Sequence, residues 1–142
     1  MSIWLGNITL EQLNDSGRKS MVSHLGIEFT AIGENSLSAR MPVDERTIQP
    51  FGLLHGGASV TLAETLGSLC ASLTLDTTKK IPVGMEVNAN HIRPVRSGWV
   101  YGEARPLHIG ETTQVWEIRI SNEAGKLVCI SRLTMAVVDR QR

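Results

Sequence analysis

Apolar residues along this chain recur with two periods, and the switches between them outline the fold. From Gly57 to Leu75 the spacing is helical, with Ala58, Leu62, Leu66, Leu69 and Leu73 on one face and Gly57, Thr61, Glu64, Ser68 and Ser72 on the opposite one. On either side of this helix the spacing is that of strands. Ile27 to Ile32 and Ser36 to Val43 read as a hairpin joined at Gly33-Glu34-Asn35. Four apolar-rich segments follow Lys79-Lys80: Ile81 to Ile92, Trp99 to Leu107, Thr113 to Ser121 and Leu127 to Val138. Turn residues at Arg96-Ser97-Gly98, His108-Ile109-Gly110 and Asn122-Glu123-Ala124-Gly125 separate the four, which predicts an antiparallel meander. Within the first, Ile81, Val83, Met85, Val87 and Ala89 alternate with Gly84, Glu86, Asn88 and Asn90, as expected when one face is buried. Near the N-terminus, Thr9 is placed to cap a short lid helix through Leu10, Leu13 and Lys19, and Met21 to Gly26 leads into the first strand.

No repeat, linker or low-complexity stretch divides the chain, so one α+β domain over residues 1–142 is expected, a long helix packed on a single curved antiparallel sheet. A chain of 142 residues buries roughly 68–70% of its unfolded surface and needs no metal or disulfide staple. A single sheet has edges to cover, and pairing of those edges between copies is a natural solution.

Charge narrows the partners. Lys plus Arg equals Asp plus Glu at 14 each, so no bulk field draws this chain to nucleic acid or an anionic membrane, and any anionic ligand must be met locally. Cys70 and Cys129 have no CxxC or Cys/His ligand spacing and read as buried thiols of a reducing compartment. Four histidines without HxH, HxxxH or HExxH spacing predict no metal site, and nothing calls for a cofactor. With no apolar run of 18 residues and no charged-plus-apolar leader, a cytoplasmic location is expected.

Candidate chemistry concentrates in Gln49 to Ser68, QPFGLLHGGASVTLAETLGS. Gly52, Gly56 and Gly57 permit close backbone approach, and a helix starting there presents unpaired N–H groups to a developing negative charge. Glu64 is the only carboxylate between Glu45 and Asp76 and lies about two turns down the same helix. A carboxylate base beside an oxyanion-binding helix end suits acyl transfer.

The HGG helix entry followed by an internal Glu, with strands wrapping the helix, resembles the hotdog-fold acyl-CoA thioesterases over nearly the whole chain. The order Gln49, Gly56, Glu64, Ser68 is similar to the active-site pattern of the Arthrobacter-type 4-hydroxybenzoyl-CoA thioesterase branch. Within that branch, MPVDERTIQPFGLLHGGAS, NANHIRPVRSG and PLHIG followed by QVW resemble the bacterial 1,4-dihydroxy-2-naphthoyl-CoA hydrolases of menaquinone biosynthesis. The resemblance implies that Glu64 acts as a general base on water or as a nucleophile forming a mixed anhydride. It implies that the Gly56 N–H polarises the thioester carbonyl, that Gln49 hydrogen-bonds the carbonyl or the Glu64 carboxylate, that His55 positions the thioester, and that Ser68 orients water or the aryl group. For coenzyme A, which is part of the substrate, it points to Gly84, to His91-Ile92-Arg93-Pro94, and to His108-Ile109-Gly110-Glu111-Thr112-Thr113, with Arg93 and Arg96 facing phosphates. It further implies a homodimer pairing into a homotetramer. Two other functions use similar parts. Hotdog hydratases carry a different helix motif with a catalytic His, and a non-catalytic acyl-CoA sensor would usually be attached to a partner module.

Overall fold

The computed structural model describes residues 1–141, and its elements follow in the order α1 (Leu10–Ser16), α2 (Met21–His24), β1 (Glu28–Ile32), β2 (Leu37–Val43), α3 (Gly56–Leu73), β3 (Lys80–His91), β4 (Gly98–Ile109), β5 (Thr113–Ser121) and β6 (Leu127–Asp139). The α+β expectation holds: all strand pairs are antiparallel, in one six-stranded sheet that wraps α3. Thr9 caps α1 in a full capping box, its hydroxyl accepting from the Gln12 N–H while the Gln12 side chain accepts from the Thr9 N–H. The helix ends at Ser16 rather than reaching Lys19. It is fastened rather than mobile in its contacts, since Leu13 is buried and the Asn14 amide bonds both the N–H and the C=O of Phe29 in β1.

The strand order is β1-β2-β4-β5-β6-β3. Only β4, β5 and β6 form the expected meander; β3 pairs with β6 at the far edge instead of with β4. The cause is the route of the chain, because α3 crosses the concave face from β2 to the opposite edge, and alternation along a strand fixes its faces but not its neighbours. The burial expected for β3 is also corrected. Its register slips between Gly84 and Glu86, and beyond this bulge Val87 and Ala89 are half-buried while Val83 and Met85 are exposed, Met85 at 63%.

The core lies between α3 and the sheet, and α3 touches β2, β3, β4, β5 and β6. Ala58, Leu62 and Leu66 are buried as expected, but Leu69 and Leu73 are only half-buried, while Ser59, Ala63, Gly67, Cys70 and Ala71 join the core. A helix wrapped from several sides needs small residues where strands come close. A methyl carbon on Gly67 would lie 2.5 Å from the Leu133 Cδ2, and one on Gly102 would lie 2.8 Å from the Leu66 Cδ1. One end of the core is closed by Trp4 stacked on Trp116 with centroids 6.2 Å apart. Buried Gln114 is satisfied between the Trp116 indole, which donates to its Oε1 at 2.9 Å, and the Thr74 hydroxyl, which its Nε2 reaches at 3.0 Å. Both cysteines are free and buried, and burial pushes both thiols up.

Candidate active site

The loop leading into α3 is tied at both ends. The His55 N–H donates to the Thr47 carbonyl and the Leu54 N–H to the Val95 carbonyl, each at 2.8 Å, which fixes the helix start against the segment between β3 and β4. His55 then caps the helix, its Nδ1 accepting from the Gly57 N–H at 2.8 Å, while the Ala58 and Ser59 N–H groups return to the His55 carbonyl. A ring nitrogen that accepts leaves the proton on Nε2, so His55 presents an Nε2–H donor. Among the described residues, the Gly56 N–H has no acceptor within the chain. The first turn of α3 therefore keeps one free donor, at the glycine expected to hold an oxyanion.

Around Gly56 lies a cavity of about 340 Å³ lined by Gln49, Leu53, Leu54, Gly56, Ser59, His91, Ile92, Arg93, Pro94 and Val128. The structure thus brings Gln49 and Gly56 together with the whole His91–Pro94 segment. The His91 ring lies directly over Gly56, so that a methyl carbon there would sit 2.9 Å from the His91 Nε2. Arg93 lines the cavity while its Nη1 donates to the Leu127 carbonyl at 2.6 Å. The Gln49 side-chain oxygen accepts from the Phe51 N–H within its own loop, which leaves the amide NH₂ free to donate.

Glu64 is not in this cavity. It is exposed on α3, and its Oε2 packs against Gly84 of β3, where a methyl carbon would come within 2.9 Å of it. Gly84 is thus a contact of the candidate base, a pairing visible only once β3 is docked on the helix. Eight residues of helix separate Gly56 from Glu64, an axial distance of roughly 12 Å. One carbonyl must lie about 3 Å from the oxyanion donor and about 3–3.5 Å from the attacking group. With the Glu64 carboxylate turned to Gly84 and absent from the walls of this cavity, Gly56 and Glu64 of one chain are not brought to the same carbonyl.

The remaining candidates are also dispersed. Ser68 lines a groove of about 310 Å³ between α1–α2 and α3, with Phe29, Val22, Thr65, Leu69 and Ser72 among its walls. The His55 ring lines a separate cavity with Met21, Leu25, Arg46 and Thr61. Arg96 lies apart from Arg93, in a polar cleft with Trp99 and Glu123. The turn carrying His108, Ile109, Gly110, Glu111, Thr112 and Thr113 sits beside the start of β3: the Val137 N–H donates to the Thr112 carbonyl, Thr113 pairs with Ala136, and Ala136 pairs with Val83. His91–Pro94 is at the other end of β3, and the seven residues from Gly84 to His91 span roughly 23 Å. Sequence reasoning had not singled out Leu53, Leu54, Ser59 or Val128 as walls, since ordinary apolar and small residues give no local signal. Among the described residues, no three His, Cys, Asp or Glu side chains cluster as a metal site, and no helix is long and apolar enough to cross a membrane.

Comparison with known proteins gives the arrangement a context. The sequence profile of the Thioesterase superfamily matches residues 51–129. The chain is 54% identical over 136 residues to the 1,4-dihydroxy-2-naphthoyl-CoA hydrolase of Escherichia coli, covering 96% of this chain and 99% of that one. It is 52% identical over 135 residues to the proofreading thioesterase EntH of Klebsiella pneumoniae, covering 95% and 98%. Among solved structures, a Q49A variant of the thioesterase PA1618 from Pseudomonas aeruginosa superposes with a TM-score of 0.96 at 56% identity, covering 98% of this chain and all of that one.

Proposed function

The chain belongs to the thioesterase superfamily, with the hotdog-type fold, and on that premise we propose that it hydrolyses aromatic acyl-CoA thioesters at a site shared between two chains. The substrate proposed is 1,4-dihydroxy-2-naphthoyl-CoA, cleaved to 1,4-dihydroxy-2-naphthoate and CoA in menaquinone biosynthesis, in the cytoplasm and without metal or cofactor. The order Gln49, Gly56, Glu64, Ser68 supports placement in the Arthrobacter-type branch, and the similarity to the Escherichia coli hydrolase supports the acyl group.

The observation that carries the reading is the free Gly56 N–H at the start of α3, in a cavity that Glu64 of the same chain, roughly 12 Å of helix rise further on and packed on Gly84, does not line. The unpaired edge of β3 resolves the mismatch. If two β3 edges pair antiparallel about a two-fold axis near Val87 and Asn88, Gly84 lies opposite the partner's His91, and the Glu64 packed on Gly84 meets the partner's Gly56. The same operation carries the turn His108–Thr113 towards the partner's His91–Pro94, so that the expected coenzyme track becomes continuous across the two chains. Pairs of such dimers form the proposed homotetramer.

In this site the Gly56 N–H donates to the thioester oxygen as charge builds on it, and removal of such a donor costs about 2.7–4 kcal/mol in the transition state. The Gln49 NH₂ is a further donor in the Gly56 cavity, whereas His55 lines the neighbouring one. Water adds to the carbonyl carbon as Glu64 takes its proton; the C–S bond then breaks, and the proton passes to the departing thiolate. Direct attack by Glu64 gives a mixed anhydride instead, which water opens. Label on Glu64 after a single turnover in ¹⁸O-labelled water identifies an anhydride opened at the Glu64 carbonyl, since attack of water on the acyl carbon puts the label in the released acid by either route.

Thiol release from 1,4-dihydroxy-2-naphthoyl-CoA by the purified protein tests the reading, with Glu64→Gln as the control expected to bind ester and release almost none. A kcat/KM for this substrate well below those of aliphatic acyl-CoAs contradicts the menaquinone assignment. A second reading, removal of wrongly loaded acyl groups from a carrier protein, is favoured by the similarity to the proofreading thioesterase, and higher kcat/KM for acyl carrier than for acyl-CoA would select it.

A further inference from the structure

Gln49 and Gly56 share one cavity because a small hairpin folds the chain back between them. Residues 47–49 run antiparallel to residues 53–55: the His55 N–H donates to the Thr47 carbonyl and the Gln49 N–H to the Leu53 carbonyl, each at 2.8 Å, with Ile48 bridged to Leu54 between them. Gly52, at φ 82°, supplies the left-handed residue at the tip. These contacts hold Gln49 in a fixed relation to the His55 cap of α3. A hairpin this short is not stable alone, so its place is set by what ties it to the sheet.

One tie is main chain to main chain, the Leu54 N–H to the Val95 carbonyl at 2.8 Å. The other is a side chain. Thr47 is only 2% exposed, and its hydroxyl donates to the carbonyl of Pro42 in β2 at 2.7 Å while accepting from the Asp44 N–H at 3.1 Å. The Thr47 and Ile48 N–H groups return to the Asp44 carbonyl at 2.9 and 3.0 Å, which closes the turn between β2 and the hairpin. Thr47 is absent from the walls of the Gly56 cavity, so its side chain does not meet the thioester. It therefore joins two parts: the hydroxyl grips the end of β2, and the carbonyl of the same residue receives the His55 N–H, one residue before Gly56.

We infer that Thr47 is a positioning residue for the reaction, its hydroxyl anchoring the hairpin on β2 and so setting where the Gly56 N–H and the Gln49 amide stand relative to the thioester oxygen. The inference rests on the proposed role of Gly56. Valine is branched like threonine and of similar size but has no hydroxyl, and it leaves the Pro42 carbonyl and the Asp44 N–H without that partner. They regain partners only if the base of the hairpin moves to admit water. Such a movement passes through the Thr47 carbonyl to His55 and Gly56, whereas Glu64, packed against Gly84 further along α3, keeps its place.

Kinetics and a carbonyl probe test this together. Thr47→Val is expected to lower kcat for benzoyl-CoA by roughly tenfold to a hundredfold, the effect of misplacing a group by up to about 1 Å, with a much smaller change in KM. Thr47→Ser, which keeps the hydroxyl, is expected to recover most of the loss. A kcat for Thr47→Val within about twofold of wild type, or a serine variant as slow as the valine one, overturns the inference. The second measurement is the infrared stretch of benzoyl-CoA labelled with ¹³C at the carbonyl and bound to Glu64→Gln. Donors on the carbonyl oxygen lower its frequency relative to the free ester, and Thr47→Val in the Glu64→Gln background is expected to lose most of that shift. An undiminished shift overturns the inference, since Thr47 would then serve the fold alone. Should valine prevent folding, as a thermal melt would show, Thr47→Ala takes its place in both measurements. No shift in Glu64→Gln itself would instead overturn the role of Gly56 on which the inference rests.

Discussion

Replacing Gly84 by alanine asks whether the Glu64 position seen against β3 is the working one. The methyl carbon would lie 2.9 Å from the Glu64 Oε2, whereas ordinary contact starts at 3.4 Å, so the carboxylate must retreat by half an ångström or more. Glu64 is exposed and its side chain is flexible, so the retreat itself is cheap. Gly84 does not have a positive φ, so alanine is compatible with the backbone and, by narrowing the unfolded ensemble, is expected to add about 0.4–1 kcal/mol of stability. Catalysis is less tolerant. Groups must be held within about 0.5 Å of the productive geometry, and a 1 Å misplacement costs about a hundredfold. Gly84→Ala should therefore lower kcat by roughly tenfold to a hundredfold, or about 1.4–2.7 kcal/mol in the barrier, with Tm unchanged or slightly raised. Steady-state thiol release and a thermal melt on the same preparation suffice. A kcat within twofold of wild type would refute the reasoning, because Glu64 would then not work from its place beside Gly84.

Other outcomes follow from the packing and the site. Gly67→Ala puts a carbon 2.5 Å from the Cδ2 of the fully buried Leu133, and the overpacking, about 1–3 kcal/mol, outweighs the gain in helix propensity; a lower denaturation midpoint without a change in m would show it. Treatment with a chelator followed by desalting should leave thioester hydrolysis undiminished, and loss of activity restored by a divalent cation would contradict metal-free hydrolysis. Because burial raises both thiols, Cys70 and Cys129 should resist alkylation at neutral pH in the native protein and react on unfolding, as followed by mass spectrometry.

How far the sequence carried can be judged from particular elements. Thr9 with Gln12 three residues on is a local capping signal, and the cap is there. The hairpin at Gly33-Glu34-Asn35 and the start of α3 beside His55-Gly56 were likewise legible, because turns and caps are determined by adjacent residues. The place of β3 was not, since its partners in β6 lie about forty to sixty residues away and its bulge at Met85 breaks the alternation that the sequence displays. The buried stripe of α3 is wider than its apolar pattern because Gly67, Cys70 and Ala71 are small and carry little weight in such a pattern, yet a sheet wrapping α3 needs them facing inward. At the site, Gly56 and Glu64 stand out in sequence by residue type. That they are not brought together within a chain, because Glu64 packs on Gly84, follows only from the docked strand.

Complementation tests the shared site most directly. Gln49→Ala and Glu64→Ala chains, each expected to be inactive alone, are mixed in equal amounts, unfolded mildly and refolded together. If Gln49 and Glu64 reach one carbonyl from different chains, half the dimers are mixed and each mixed dimer has one intact site of two, so about a quarter of wild-type activity should return. No activity from dimers shown by mass spectrometry to be mixed would contradict the account, because each site would then be built from a single chain.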